Sequence, residues 1–210
     1  MLNVIFVSDD LDAQIGPNCT LSHSHFTGEV NLQGNNVVLL NGDLCTAAEV
    51  EKNITSFGGG KFILVAYSHG CEDALVSNAD ANGYVHAGNS YFFGSSLVYT
   101  NCCHSAIKLK DSLIGAGCLG YVGYNDEVRL PENEEDDILF IACENSGLIH
   151  FLNTGDTLTD AVEVMKSKYR DQYKSFLDQK MNVAAAFLLR NLNSLTFHDD
   201  GPLTRAILEN

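Results

Sequence analysis

Phe62-Ile63-Leu64-Val65-Ala66-Tyr67-Ser68-His69-Gly70 and Leu97-Val98-Tyr99-Thr100-Asn101-Cys102-Cys103 are the two stretches on which the reading of this chain turns. Each is a run of apolar, β-branched and aromatic residues that stops at a group able to do chemistry, an imidazole in the first and a thiol in the second. Runs of this length without polar alternation suit strands covered on both faces, the condition of a parallel sheet between helical layers. Working outward, residues 3–8, 37–40 and 119–124 are further buried-strand candidates. Thr46 with Glu49 three residues on forms a capping-box signature that opens a helix to about Ser56, closed by Gly58-Gly59-Gly60. Strand, helix, strand in that order predicts an α/β domain.

The remaining segments are less patterned. The polar stretch holding Gly16, Pro17, Gly28 and Gly34 reads as a long loop or minor hairpin, and Asn82-Gly83 marks a hairpin within residues 71–94. A helix is expected directly after Cys103, running to about Gly115. Beyond an acidic loop at 125–137, helical periodicity covers 138–152, 157–179 and 182–192. With no internal repeat and three prolines in all, the economical organisation is one domain over residues 1–210: a mostly parallel central sheet, helices on both faces, and a helical C-terminal portion.

Composition narrows the function classes. Of 210 residues 45% are hydrophobic and 19% charged, enough apolar material for a core. Against 27 acidic residues stand 12 basic ones, and the resulting charge of −15 repels phosphate backbones and anionic membranes. The small basic cluster Lys166, Lys168 and Arg170 reads as the solvated face of a helix. Seven cysteines form an odd set without scaffold spacing, the first residues lack a basic leader, and no apolar run approaches about 18 residues. A reducing cytoplasm with free thiols is the expected setting, which makes the sequons at Asn18 and Asn53 chance matches.

In an open parallel sheet, side chains just past the C-terminal strand ends converge on one crevice. His69 and Cys103 occupy such positions on strands expected to be neighbours. A thiol beside an imidazole is the pair that acyl transfer needs, a soft nucleophile and a proton carrier that works near neutral pH. Gly70 allows close approach of a substrate carbonyl, and its amide, with that of Cys103, could form an oxyanion site; one such donor is worth about 3 kcal/mol in the barrier. Placed at a helix start, the Cys103 amide would also favour the thiolate.

The His-Gly after one strand and the Cys after the next resemble the caspase-like (clan CD) cysteine peptidases, and in particular their CHAT branch, where the helix after the Cys leads through a Gly- and Ala-rich turn into another strand. Ala116-Gly117-Cys118-Leu119-Gly120-Tyr121-Val122-Gly123-Tyr124 fits that description. The resemblance spans about residues 37–129 and, more loosely, 184–201. It implies a caspase-like three-layer sandwich and a cysteine endopeptidase, a hydrolase of the thiol protease type. His69 becomes the catalytic imidazole, Cys103 the nucleophile, and the Gly70 amide part of the oxyanion site. Cys102 falls on the small-residue position and should point inward. Two departures stand out: His104 follows the nucleophile where the family has an acidic or small residue, and the short His69 to Cys103 spacing implies a trimmed hairpin and an altered cleft.

The resemblance also bears on substrate and partners. Asp126 and Glu127 follow the strand ending at Tyr124, where the clan often builds part of its specificity pocket; carboxylates there would select Arg or Lys before the cut. On so acidic a chain the plainer reading, a solvated acidic loop, weighs more. A protein or peptide substrate is implied, together with control by a regulatory protein partner, since no sensor module is apparent, and a role in bacterial stress or defence. The rival reading is a caspase-like scaffold that binds partners and no longer cuts.

No cofactor or metal is expected. Cys102, Cys103 and His104 with His86 could suggest zinc, but adjacent cysteines chelate one tetrahedral ion only with strain and there is no Cys-x-x-Cys. Gly115-Ala116-Gly117-Cys118-Leu119-Gly120 matches a dinucleotide fingerprint but lies between a helix and a strand in the reverse order. Gly58-Gly59-Gly60-Lys61 lacks the first Gly and the Ser or Thr of a phosphate loop. Cys118 and Cys143 are expected to be packing residues.

Overall fold

The computed structural model describes residues 1–131 and 134–209. In chain order the elements are β1 (Asn3–Ser8), α1 (Gly16–Glu29), β2 (Asn36–Asn41), α2 (Ala47–Ser56), β3 (Phe62–Tyr67), β4 (His69–Gly70), β5 (Ala74–Val76) and β6 (Val85–His86). There follow β7 (Ser96–Thr100), α3 (Leu109–Gly115), β8 (Gly120–Tyr124), α4 (Glu134–Thr154), α5 (Leu158–Asp178), α6 (Asn182–Ser194), β9 (Leu195–Asp199) and α7 (Arg205–Leu208). A six-stranded sheet runs β2-β1-β3-β7-β8-β9, all parallel except β9, and β4-β5-β6 form a small antiparallel sheet of their own.

Alternation along the central strands feeds two separate cores. Ile63, Val65 and Tyr67 of β3, with Leu97 and Tyr99 of β7, pack with α1, α4, α5 and α6 on one face. Phe62, Leu64 and Ala66, with Val98 and Tyr121, pack with α2, α3 and the β5–β6 hairpin on the other. Every residue of β3 is buried, and each large apolar side chain so enclosed contributes about 1.5–3 kcal/mol. The result is an α/β architecture with helices on both faces of a mostly parallel sheet.

Several expectations need correction. The polar stretch around Gly16 and Pro17 is helix α1. It buries Gly16, Cys19, Ser22 and Phe26, so the face toward the core is made of small residues and one phenylalanine and leaves no apolar stripe to read. β2 is an edge strand, not a buried one: Val37 and Leu39 are about two-fifths exposed. The helix after Cys103 starts only at Leu109, and residues 103–108 form turns. The acidic run is not all loop, because α4 begins at Glu134; its Glu132 and Asn133 lie outside the described residues. The C-terminal portion is not purely helical either. β9 leaves α6 without an intervening turn and pairs antiparallel with β8, Leu195 opposite Tyr124 and Asp199 opposite Gly120.

Candidate active site

The register of the sheet sets the site. β3 pairs β7 in parallel from Phe62 opposite Ser96 to Ala66 opposite Thr100, a constant offset of 34. Carried past the strand ends, the same offset brings His69 level with Cys103. Packing holds the two ends together: a Cβ at Gly70 would lie 2.8 Å from Cys102 Cβ and closer still to the Cys103 carbonyl oxygen, so only glycine fits there. Cys102 is 1% exposed, with its Sγ 3.3 Å from Ser68 Oγ, and burial pushes its thiol up to about 11. It points inward as the resemblance implied and pins the turn.

The same geometry frees the Gly70 amide. The Cys71 N–H bonds the Ala74 carbonyl at 2.9 Å and the Leu75 carbonyl accepts from Tyr84, so Leu75 turns its backbone groups toward β6. Gly70, opposite Leu75, is therefore a non-hydrogen-bonded position whose N–H points away from β5. The β4–β5 ladder therefore does not use it.

His69 and Cys103 line one cavity of about 60 Å³, room for a few waters, together with Ile15, Asn18, Val128 and Glu144. Both are partly exposed, and among the described residues no hydrogen bond joins them directly. The Cys103 Sγ instead accepts from the Val128 N–H at 3.3 Å and approaches the Val128 carbonyl at 3.9 Å. Burial raises the thiol above its ordinary range, outweighing the Val128 N–H, and the charges of Glu127 and Glu144 push the same way. The thiolate-favouring helix start does not exist, since α3 begins six residues later; the resting state here is a neutral thiol. His104 adopts a left-handed backbone, φ 56°, and its N–H bonds the Asp126 carbonyl at 3.1 Å, fixing the turn after Cys103.

Asp126 and Glu127 are nearly half exposed, and each carboxylate is met by an arginine. Asp126 takes a bidentate pair from Arg190, at 3.1 Å from Nε and 3.0 Å from Nη2, and Glu127 is paired with Arg129. The hydrogen bonds of the Arg190 guanidinium, with a backbone bond from Glu127, hold the Asp126 carboxyl below the usual range. Their charges are met within the chain, and neither residue lines the cavity.

Two acidic residues that do belong to the site were missed by sequence reading. Glu144 of α4 is 2% exposed and lines the cavity; Asn101 Nδ2 donates to its Oε2 at 3.0 Å, while Oε1 is buried without a partner among the described residues. Burial pushes its carboxyl up to about 7. A lone acid inside Phe140-Ile141-Ala142-Cys143-Glu144 was the available signal. Asp12, in the turn after β1, places Oδ2 3.2 Å from His69 Nε2. The rule that singled out His69 and Cys103, chemistry just past a parallel strand, applies equally to Ser8-Asp9-Asp10-Leu11-Asp12. Cys118 and Cys143 are buried packing residues as expected. No family model, curated protein or solved structure matches the chain.

Proposed function

We propose that the chain is a caspase-like cysteine endopeptidase of the CHAT type, cleaving a protein substrate through Cys103 and His69. The observation that carries this is the register: the offset of 34 that pairs β3 with β7 also brings an imidazole level with a thiol at the rim of one cavity. In this reading the Cys103 sulfur attacks the scissile carbonyl carbon as its proton passes to His69. The oxyanion is met by the Gly70 N–H, and the imidazolium returns the proton to the leaving amine as the C–N bond breaks. Water then hydrolyses the thioester.

A basic side chain beside the cut is the preference we assign, and Glu144 supports it in place of Asp126 and Glu127. An unpartnered buried carboxyl oxygen is stabilised by a cation brought against it, while Ile15 and Val128 would flank an aliphatic stem. Seven unpaired cysteines agree with a reducing cytoplasm, and the described residues contain no helix long and apolar enough to cross a membrane. One observation favours the rival reading of a non-catalytic scaffold: Cys103 Sγ is engaged by the Val128 N–H and His69 Nε2 by Asp12. A peptide-library cleavage profile of wild type, Cys103→Ala and His69→Ala separates the two. Cleavage lost in both variants is expected, and undiminished cleavage by Cys103→Ala refutes the peptidase.

A further inference from the structure

The turn after β1 carries three carboxylates that meet different partners. Asp9 is fully buried and accepts from the Asn78 N–H at 2.7 Å. Asp10 is spent on the start of the next connection, accepting from the Gly42 N–H at 2.8 Å and from Asn41 Nδ2 at 3.1 Å. Asp12 alone reaches the site. Its Oδ1 accepts from two backbone N–H groups, Gln14 at 2.8 Å and Ile15 at 2.9 Å, and its Oδ2 lies 3.2 Å from His69 Nε2.

We propose that Asp12 is the positioning residue of a Cys103–His69–Asp12 arrangement, holding the His69 ring with its Nε2–H toward the carboxylate so that Nδ1 is left to take the thiol proton. This rests on the cysteine-peptidase reading and adds to it a third member from a different strand end.

The need for such a group follows from where the imidazole sits. His69 belongs to a two-residue strand, its side chain is 39% exposed, and among the described residues nothing else hydrogen-bonds its ring. An imidazole so placed turns freely about two side-chain bonds unless one nitrogen is held. Asp12 is a suitable holder because two backbone amides fix one of its oxygens and aim the other. Partial burial works to raise its carboxyl, but the Ile15 and Gln14 amides and the imidazole outweigh it and keep it below the ordinary range, hence ionised. Proton balance is complete within the three residues. The Cys103 proton goes to Nδ1, the Asp12 carboxylate faces the resulting imidazolium without taking a proton, and the leaving amine receives the proton from Nδ1. The charge of Asp9 acts on both members of this pair, the buried thiol of Cys19 lies close to Asp12, and Glu144 lines the same cavity as His69.

The test reads the thiol directly. Cys103 alkylation by iodoacetamide, followed by mass spectrometry from pH 5 to 9, is compared in wild type, Asp12→Asn, Asp12→Ala, His69→Ala and the Asp12→Asn/His69→Ala double variant, beside peptide cleavage. Asp12→Asn keeps an oxygen for the two amides, so the turn is retained. It should slow alkylation at pH 7 by about 10- to 100-fold, the scale of one hydrogen bond to a charged partner, and shift the pH profile. In the His69→Ala background the same substitution should have no effect, because a positioning residue acts only through the group it positions. An unchanged profile in Asp12→Asn, or a loss that persists in the double variant, overturns the proposal. Alkylation that depends on both residues with no peptide cleaved leaves Asp12 in its role and removes the peptidase reading. Peptide cleavage insensitive to Asp12→Asn and Asp12→Ala does the reverse.

Discussion

Replacing Glu144 by glutamine should change how stability depends on pH, with a magnitude that follows from its burial. The carboxyl is 2% exposed, and burial lifts it from an ordinary 4.5 to about 7. A group that binds its proton more tightly folded than unfolded favours the fold most when protonated. Its contribution is therefore complete below about pH 4.5 and is lost as pH rises through about 7. At 1.36 kcal/mol per pH unit, the loss is about 3 kcal/mol. Glutamine has no proton to lose, and its oxygen can still accept from Asn101 Nδ2. Urea unfolding followed by circular dichroism, at intervals from pH 4.5 to 8, gives the stability of each protein. The other carboxylates cancel in the difference, so Glu144→Gln should gain about 3 kcal/mol on wild type across that range. A difference that stays flat within about 1 kcal/mol would mean that Glu144 is solvated or paired in solution, and the buried acid under the site would have to be abandoned.

Gly70→Ala should destabilise by about 1–3 kcal/mol, because its methyl meets the Cys102–Cys103 segment, with Cys102 Cβ at 2.8 Å, and overpacking against backbone has few ways to relax. On a domain of this size that is a fall in Tm of about 2–12 °C, whereas Gly115→Ala, with nothing within 4 Å, should leave Tm equal or higher; a Gly70→Ala protein melting with wild type would deny the close approach of the two strand ends. Asp126→Ala should leave the residue preference of cleavage unchanged, since Arg190 already meets that carboxylate. A library profile that loses its basic preference in this variant would return Asp126 to the specificity pocket.

The strands were legible because the information is local. Residues 62–67 contain no polar residue that could face water, and a run of that kind has to be enclosed on both sides. Helix α1 was not legible for the opposite reason: its inward face is Gly16, Cys19, Ser22 and Phe26, and its helical character comes from Pro17 near its start and from the sheet it lies on. Gly16 belongs there because a Cβ would sit 2.6 Å from the Asp10 carbonyl oxygen, a contact set by the turn after β1 and invisible in the stretch itself. β9 escaped notice because its residues beyond Leu195 are half-buried and it follows α6 with no turn residue between them.

The same distinction sorts the charged residues. That His69 and Cys103 stand past strand ends is local information, and the register then makes them neighbours. What a carboxylate does depends on its partner. Asp126 looked available because Arg190, which neutralises it, lies 64 positions away on α6; the offset of 23 between β7 and β8 does bring Asp126 level with Cys103, yet its side chain turns to that arginine. Glu144 looked like one more acid on a chain of charge −15, and only the packing of α4 against Asn101 makes it a buried carboxyl under the site, one oxygen bonded to Asn101 and the other without a partner among the described residues. Asp12 sits between these cases. Its position at a strand end could be read, but its role depends on two amides fixing one oxygen and on His69 meeting the other. An acid's place in the sequence thus nominates it for a site, and its unsatisfied or precisely held oxygen decides whether it belongs there. By that criterion Glu144 is the acid that lines this cavity, and Asp12 the acid held against its histidine.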